Sequence, residues 1–137
     1  TLCLFLAITA IQCDFDPEWQ SCDPSLGWRT FKVALDAPPV AGQNSTFTFC
    51  GQNYGIKELR ARNIQVSGAN FSSVTFDENG VVVAFQDNYC FNMNVTIPQG
   101  PKELEVKIAL SSWIVPNIGC AVVKLDLRKN NFLGYPF

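Results

Sequence analysis

Few side chains in this sequence could perform acid–base or nucleophilic chemistry. The chain has no histidine, the residue that changes protonation near neutral pH and activates serine and cysteine nucleophiles. Neighbouring carboxylates occur at Asp77 and Glu78 and at Glu103 and Glu105, but acids in a turn or on an outward strand face are usually only solvated. The absence of histidine leaves little means of general base catalysis near neutral pH. We therefore expect a protein that is not an enzyme.

Metal, phosphate and nucleic-acid sites have little support either. There is no Cys-x-x-Cys pair, and without histidine a zinc site lacks its usual ligands. The stretch from Gly51 to Gly55 lacks the lysine and the helix of a phosphate-binding loop. A formal net charge of −2 leaves no basic surplus to neutralise a nucleic-acid backbone. We expect no cofactor, no metal and no nucleic-acid partner.

A small basic cluster, Lys57, Arg60 and Arg62, is open to two interpretations. It could meet a lipid headgroup or a partner protein. It could also belong to a solvated edge strand, on which charge prevents pairing with another chain.

The composition and the residue pattern do favour a large buried apolar interior. Hydrophobic residues make up 47% of the chain and charged residues 16%. Apolar and polar side chains alternate along two segments, which is typical of strands with one buried and one solvated face. A buried set of this kind either fills a core or lines a cavity for an apolar ligand. Its members are Tyr89, Phe91, Met93, Val95 and Ile97 in the first segment and Leu104, Val106, Ile108 and Leu110 in the second.

Turn signals about every ten residues divide the chain into strands. We predict strands at 28–35, 45–50, 59–66, 71–76, 81–85, 89–97, 102–111 and 120–128, after an irregular polar stretch at 14–25. Phe31, Val33 and Leu35 should share one face of the first strand. A change of alternation between Ala61 and Ile64 suggests a bulge within the third. The predicted fold is an all-β, immunoglobulin-like antiparallel β-sandwich of seven to eight strands.

One hairpin is predicted from its turn residues. Asn79-Gly80 supplies the positive φ angles that a two-residue β-turn requires. It should therefore pair the strands at 71–76 and 81–85 with each other.

The first residues, Leu2 to Ile11, form an apolar run that is too short to span a bilayer. The run suits the h-region of a secretory signal peptide, and a buried strand or helix is the alternative. Cleavage after Ala10 or after Cys13 would leave a small residue at the cut. We expect a signal peptide at 1–13, a single domain at 14–137, and a secreted or lysosomal protein.

Sequons and cysteines agree with export. N-glycosylation sequons begin at Asn44, Asn70 and Asn94, at positions where a glycan would not disturb the core. We expect the cysteines that follow the leader to form disulfides near the surface, because those in strands share the parity of the polar positions. They are Cys22, Cys50, Cys90 and Cys120, with Cys13 joining them if cleavage precedes it.

The segment between the last two strands is unusually apolar for a loop. It contains Trp113, Ile114 and Val115, although loops are normally polar surface segments. These residues could form a tucked loop that closes one end of the sandwich. They could also form a lip at the mouth of a cavity, able to touch a membrane.

Several segments, taken in order, resemble the ML family of secreted lipid-recognition domains. Ser21-Cys22-Asp23-Pro24 is similar to the family's N-terminal cysteine segment, and residues 38–47 resemble its proline turn and the start of its second strand. Residues 89–110 resemble its penultimate hairpin, and residues 119–123 its terminal cysteine strand.

This resemblance implies two sheets splayed apart around one lipid, with an apolar cavity between them. It pairs Cys22 with Cys120. It does not assign Cys90, for which Cys50 is the favoured partner; the alternative is Cys13–Cys50, which would leave Cys90 free. The short cysteine loop that many family members carry before the penultimate hairpin is missing. The inward residues that would line the cavity are Phe47, Phe49, Leu59, Ile64, Phe76, Val83, Phe85, Phe91, Met93, Val95, Val106, Ile108, Leu125 and Leu127.

The sequence thus predicts a secreted protein that binds or transfers a lipid, in transient contact with a membrane. The lipid would be a sterol, a fatty acid, a phospholipid or a glycolipid. The alternative is a protein-interaction module or an innate-immune co-receptor subunit, with a filled core and a receptor as its partner.

Overall fold

Ten β-strands make up the part of the chain that the structure, a computed structural model, describes: residues 15–68, 74–75 and 80–128. Every pair of strands in this part is antiparallel. The strands are β1 (Glu18–Ser21), β2 (Trp28–Leu35), β3 (Asn44–Asn53), β4 (Leu59–Ala61), β5 (Asn63–Ser67), β6 (Val74–Thr75), β7 (Val81–Val83), β8 (Asn88–Thr96), β9 (Glu103–Ser111) and β10 (Gly119–Asp126).

These strands form two sheets and a two-stranded ribbon. The larger sheet has the order β1-β10-β9-β5-β6, the smaller sheet the order β2-β3-β8, and the ribbon pairs β4 with β7. Apolar residues from all three pack into one core. Val106, Ile108 and Leu110 of β9 have no exposed surface, and the residues between them are more accessible, as period-two alternation predicts. The prediction of an all-β antiparallel sandwich is confirmed.

The chain changes sheets where we expected a single strand at 59–66. Leu59–Ala61 pairs with β7 in the ribbon, whereas Asn63–Ser67 pairs with β9 in the larger sheet. The change of alternation near Arg62 therefore marks a change of sheet and not the predicted bulge. Each short strand buries alternate side chains, but the two strands have different partners, so the alternation restarts between them.

The predicted hairpin at Asn79-Gly80 is also wrong. β6 pairs with β5 and β7 pairs with β4, so the chain between them crosses from the larger sheet to the ribbon. Gly80 has a φ of 67°, a left-handed conformation that glycine adopts without strain. A side chain at this position would also meet the carbonyl oxygen of Ala61. Asn79 and Phe76 lie outside the described residues.

A bulge does occur, in β2. The pairing of β2 with β3 shifts between Thr30 and Lys32, and the extra residue turns Phe31 to the solvent, where it is 48% exposed. Val33 and Leu35 remain buried. The prediction that these three side chains share a face was wrong for Phe31, because a bulge inserts one residue and changes the parity before it.

The first strand was not predicted from the sequence. Residues 14–25 are predicted to be irregular, yet Glu18–Ser21 pairs with β10 along its whole length. Just before it, Phe15 forms an isolated bridge with Leu35 of β2. The segment from Phe15 to Ser21 therefore runs from the edge of the smaller sheet to the edge of the larger one.

Two disulfides confirm the pairings Cys22–Cys120 and Cys50–Cys90. The first fastens the end of β1 to β10, and the second fastens β3 to β8, so each bond lies within one sheet. One cysteine of each disulfide lies deeper than we predicted, since Cys50 and Cys120 are buried. Closing a loop of about 100 residues contributes about 4–5 kcal/mol in the chain-entropy model.

Asp23 supplies the polar tie between the two sheets. Its carboxylate accepts hydrogen bonds from the backbone N–H of Thr30 at 2.7 Å and from the Thr30 hydroxyl at 2.8 Å, both on β2. It also accepts one from the backbone N–H of Cys120 on β10 at 2.8 Å and one from the Ser21 hydroxyl at 2.8 Å. One side chain therefore holds β1, β2 and β10 together beside the Cys22–Cys120 disulfide.

We predict that Asp23→Ala lowers the free energy of unfolding by about 2–4 kcal/mol, because charged hydrogen bonds are lost and partly buried N–H groups lose their acceptor. Equilibrium unfolding in urea, followed by circular dichroism with the disulfides intact, measures this loss. Glu105→Ala is the matched control, since Glu105 is exposed on β9 and its removal should change stability by less than about 0.5 kcal/mol. Equal stability of the two variants would contradict the role of Asp23.

Candidate functional site

The predicted lining residues form the interior between the sheets. Of those packed in the core, all but Leu127, which follows β10, lie on β3, β4, β5, β7, β8, β9 or β10, and the burial of those on strands follows from their parity. None is more than 8% exposed. The predicted residues that the structure brings together in the core are Phe47, Phe49, Leu59, Ile64, Val83, Phe91, Met93, Val95, Val106, Ile108, Leu125 and Leu127.

One of the lining predictions is wrong. Phe85 is 51% exposed, because it lies in the turn after β7, where Gln86 has a φ of 67° and donates its N–H to the Asn53 carbonyl. Phe76 lies outside the described residues. Tyr89, which we also expected to face inwards, is 39% exposed at the start of β8, with its ring 4.7 Å from that of Phe91.

Trp28 fills the interior beside the Asp23 tie. Its indole N–H donates to the Thr30 hydroxyl at 3.0 Å, and it has no exposed surface. Added side-chain carbons at Gly51 of β3 or Gly119 of β10 would overlap the indole ring. The two glycines therefore let one large ring lie between the sheets at this end, where it also contacts Phe49 and Phe91.

Asn53 organises the loops at the same end of the sandwich, a role that we did not predict from the sequence. It is 1% exposed, and its amide donates to the carbonyls of Lys57 at 2.7 Å and Val83 at 3.0 Å. Its side-chain oxygen accepts the N–H of Gly55 at 3.1 Å. A single buried polar side chain thus joins the loop after β3 to the ribbon. An asparagine within a Gly/Asn/Gln-rich stretch gives no signal in sequence that distinguishes it from an ordinary turn residue.

Exposed apolar side chains collect on the loops at this end. The loops before β2, after β3, after β7 and after β9 all reach it, since Trp28 and Gly119 begin their strands here and Asn53 ends its strand here. We call the exposed set the apolar rim, namely Leu26 (52% exposed), Ile56 (88%), Phe85 (51%), Trp113 (58%) and Ile114 (91%).

A hollow of about 350 Å³ opens within the apolar rim. It lies between the loop before β2 and the loop that leads into the ribbon, and Leu26 and Ile56 are part of its wall. Leu59 also lines it, and Leu59 belongs to the buried core. At Leu59 the hollow therefore borders the buried core, and Asn53, Lys57 and Glu58 form the polar part of its wall.

The predicted lip divides into an exposed and a packed part. Trp113 and Ile114 are exposed, whereas Val115 is partly buried and packs against the core. The guanidinium carbon of Arg62 lies 3.6 Å from the centre of the Trp113 ring, a cation–π contact. The N–H of Val115 donates to the Ser112 hydroxyl at 3.1 Å. The loop is thus fixed by Val115 and Arg62, with Ile114 projecting from it.

The predicted basic cluster is distributed over separate contacts. Arg60 forms an ion pair with Glu58 at 3.1 Å, Arg62 stacks on Trp113, and the backbone carbonyl of Lys57 is held by Asn53. An exposed ion pair of this kind contributes little to stability. The three residues are better described as borders of the apolar rim than as one cationic patch.

The two sequon asparagines in the described part of the chain lie away from the apolar rim. Asn44 and Asn94 are exposed on the outer face of the smaller sheet, while Asn70, Asp77 and Glu78 lie outside the described residues. A larger hollow of about 580 Å³ lies over β9 and β10 at the other end of the sandwich. Its walls are mainly charged, which suits an apolar ligand less well than the hollow beside Leu59. They are Glu18, Glu103, Glu105, Lys124 and Asp126, with Leu104 and the core residue Leu125 as the apolar part.

Within residues 15–68, 74–75 and 80–128, no three histidine, cysteine or acidic side chains come together as metal ligands do. The same residues contain no helix that is long and apolar enough to cross a membrane. A comparison with models of known protein families finds no match, and a comparison with curated proteins finds none either.

Proposed function

We propose that this protein is exported and binds one lipid molecule between its two sheets, in an immunoglobulin-like sandwich of the kind that the ML resemblance implies. The proposal covers an acyl chain or a sterol as the part that is enclosed. The observation that carries it is the position of Leu59, which lines the hollow in the apolar rim and also belongs to the core. An apolar molecule bound there would contact Leu26, Ile56 and the core residue Leu59, and the side chains around Leu59 would have to separate to admit it to the interior.

The interior offers a ligand only apolar contacts over most of its length. The buried polar side chains in the described residues are Thr30, Ser45 and Asn53, and at least Thr30 and Asn53 have their hydrogen-bonding groups engaged at the rim end. The closely packed core side chains must separate to admit a lipid, which then replaces their contacts. Ligand-free and ligand-bound sandwiches would differ chiefly in the distance between the sheets.

The ribbon is the part best suited to move. β4 and β7 pair with each other and belong to neither the larger nor the smaller sheet. On the opposite edge the sheets are held by Asp23 at one end and by the bridge between Phe15 and Leu35 at the other. We infer that the sandwich opens at the ribbon and stays closed at the Asp23 edge.

The apolar rim would give the protein a brief attachment to a donor or acceptor membrane. Complete burial of a large apolar side chain contributes about 1.5–3 kcal/mol, so two such side chains allow reversible binding and not permanent anchoring. Export is supported by the two disulfides, which are typical of extracellular or lysosomal proteins, and by the predicted signal peptide at 1–13.

We predict that a fatty acid brominated along its chain quenches Trp28. The protein with Trp19→Phe and Trp113→Phe retains Trp28 as its single tryptophan, and bromine quenches an indole only when the two are in contact. Emission should fall saturably as one equivalent of lipid is added, because Trp28 lies in the interior beside Phe49 and Phe91.

The matched protein, with Trp19→Phe and Trp28→Phe, reports on the surface through Trp113. If the lipid binds only on the surface, Trp113 will be quenched and Trp28 will not, which would contradict an interior site. Circular dichroism of both proteins controls for the loss of the buried indole in the second.

We predict that Ile56→Ser with Ile114→Ser slows lipid transfer between vesicles by about tenfold or more, since a loss of about 1.4 kcal/mol of membrane binding has this effect. The two side chains are 88% and 91% exposed, so stability should be unchanged. Phe31→Ser with Val40→Ser removes two other exposed apolar side chains that lie away from the apolar rim and should leave the transfer rate unaltered. Equal slowing by both pairs would contradict a specific role for the rim.

A protein-interaction module is the second candidate, and the close packing of the core favours it. Residues such as Phe47, Val95 and Ile108 have no exposed surface, as in a sandwich whose interior is already filled. The apolar rim would then be a docking face for a receptor, as a co-receptor subunit requires. Absence of Trp28 quenching together with a stable complex with a receptor ectodomain would select this function.

A further inference from the structure

The outer face of the smaller sheet carries a row of threonine–asparagine pairs between β3 and β8. Thr48 donates its hydroxyl to the side-chain oxygen of Asn92 at 2.9 Å. The two neighbouring pairs have the same form: Thr46 donates to Asn94 at 2.9 Å, and Thr96 donates to Asn44 at 2.7 Å. In each pair the partners are directly opposite in the strand register, where cross-strand side chains interact most strongly.

Two of these pairs connect the sequons to each other. Asn44 begins the sequon that ends at Thr46, and Asn94 begins the sequon that ends at Thr96. The hydroxyl of each sequon is donated to the asparagine of the other sequon, so the two motifs are joined reciprocally across the ladder. The third pair, Thr48 and Asn92, has the same geometry but belongs to neither motif.

The hydrogen bonds of these pairs are compatible with a glycan that is already attached to each asparagine. N-glycosylation forms a bond between the asparagine Nδ2 and the first carbon of a lipid-linked oligosaccharide. The pyrophosphate of that donor leaves with the bonding electrons, and Nδ2 loses a proton. The oxygen Oδ1 is not consumed, so Asn44 and Asn94 can still accept the hydroxyls of Thr96 and Thr46. Because Oδ1 faces the neighbouring strand and both residues are exposed, Nδ2 is left to carry the glycan.

The same arrangement is unfavourable for the transfer itself. The transferase must bind a sequon as an isolated extended segment and use the hydroxyl of that same sequon. In the folded sheet each hydroxyl is donated to the other strand, and residues 44–46 and 94–96 lie in the ladder between β3 and β8. The ladder would have to open locally before either site could react.

We propose that Asn44 and Asn94 are a paired double N-glycosylation site, filled before β3 and β8 pair. The two glycans stand roughly 7–8 Å apart at their bases, the spacing of diagonal neighbours on adjacent strands, and both project from the outer face of the smaller sheet. They cover this face and leave the apolar rim, at the other end of β3, uncovered. The proposal shares only export with the proposed function, and it does not depend on lipid binding.

A reaction with purified oligosaccharyltransferase and a lipid-linked oligosaccharide donor tests the order of events without export. The acceptor is the full chain made in bacteria with Asn70→Gln, so that Asn44 and Asn94 are the remaining sequons. The reduced, unfolded chain should gain two glycans. The oxidised, folded chain should react at least about tenfold more slowly, because local opening is required. Equal rates, or no reaction of the unfolded chain, would overturn the proposal.

Expression of the same Asn70→Gln chain in secreting eukaryotic cells tests the pairing. The intact mass should show molecules with two glycans, falling to one with Asn44→Gln or with Asn94→Gln. Thr48→Ala is the matched control, since it removes the third cross-strand hydrogen bond without changing a sequon, and it should leave both sites filled. A population in which no molecule carries both glycans would overturn the proposal, since the sites would then exclude each other.

Discussion

The Asp23 carboxylate is the interaction on which the rest of the structure depends, because neither disulfide connects the two sheets. Cys22–Cys120 lies within the larger sheet and Cys50–Cys90 within the smaller one. Asp23 accepts hydrogen bonds from Thr30 on one sheet and from Cys120 on the other. A charged acceptor with four donors is worth more than the same number of neutral hydrogen bonds. The position of the carboxylate is fixed in turn by the adjacent disulfide at Cys22.

This tie gives the two edges of the sandwich different properties. At the Asp23 edge, polar bonds, the Trp28 ring and the short β1 strand join the sheets directly. At the other edge the two sheets are connected through the β4–β7 ribbon. The chain passes between the ribbon and the larger sheet at Arg62 and again before Gly80. The apolar rim lies where the ribbon meets the loops. A mainly apolar interior between sheets that are tied at one edge is the kind of space that the proposed lipid would need, whereas a rigid scaffold would gain from ties on both sides.

Much of this fold could be predicted from the sequence, and the failures have physical causes. Strict alternation located Val106, Ile108 and other buried core residues, because burial on one face requires it. Phe31 and Phe85 were misplaced since a bulge and a left-handed turn residue change the parity locally. Strand partners at Arg62 and Gly80 were misjudged because pairing is decided by tertiary packing, which turn residues do not encode. Asn53 could not be identified, as its importance comes from three carbonyl and amide partners brought together by the fold.

Our central proposal is that one lipid binds between the two sheets. Its most direct test is native mass spectrometry of the protein secreted by eukaryotic cells, followed by organic extraction and identification of any released molecule. We expect a mass excess that corresponds to one lipid per chain and disappears after extraction, with the protein remaining folded. A protein that leaves the cell at its own glycosylated mass, releases no lipid, and takes up neither a fluorescent fatty acid nor a fluorescent sterol would contradict it.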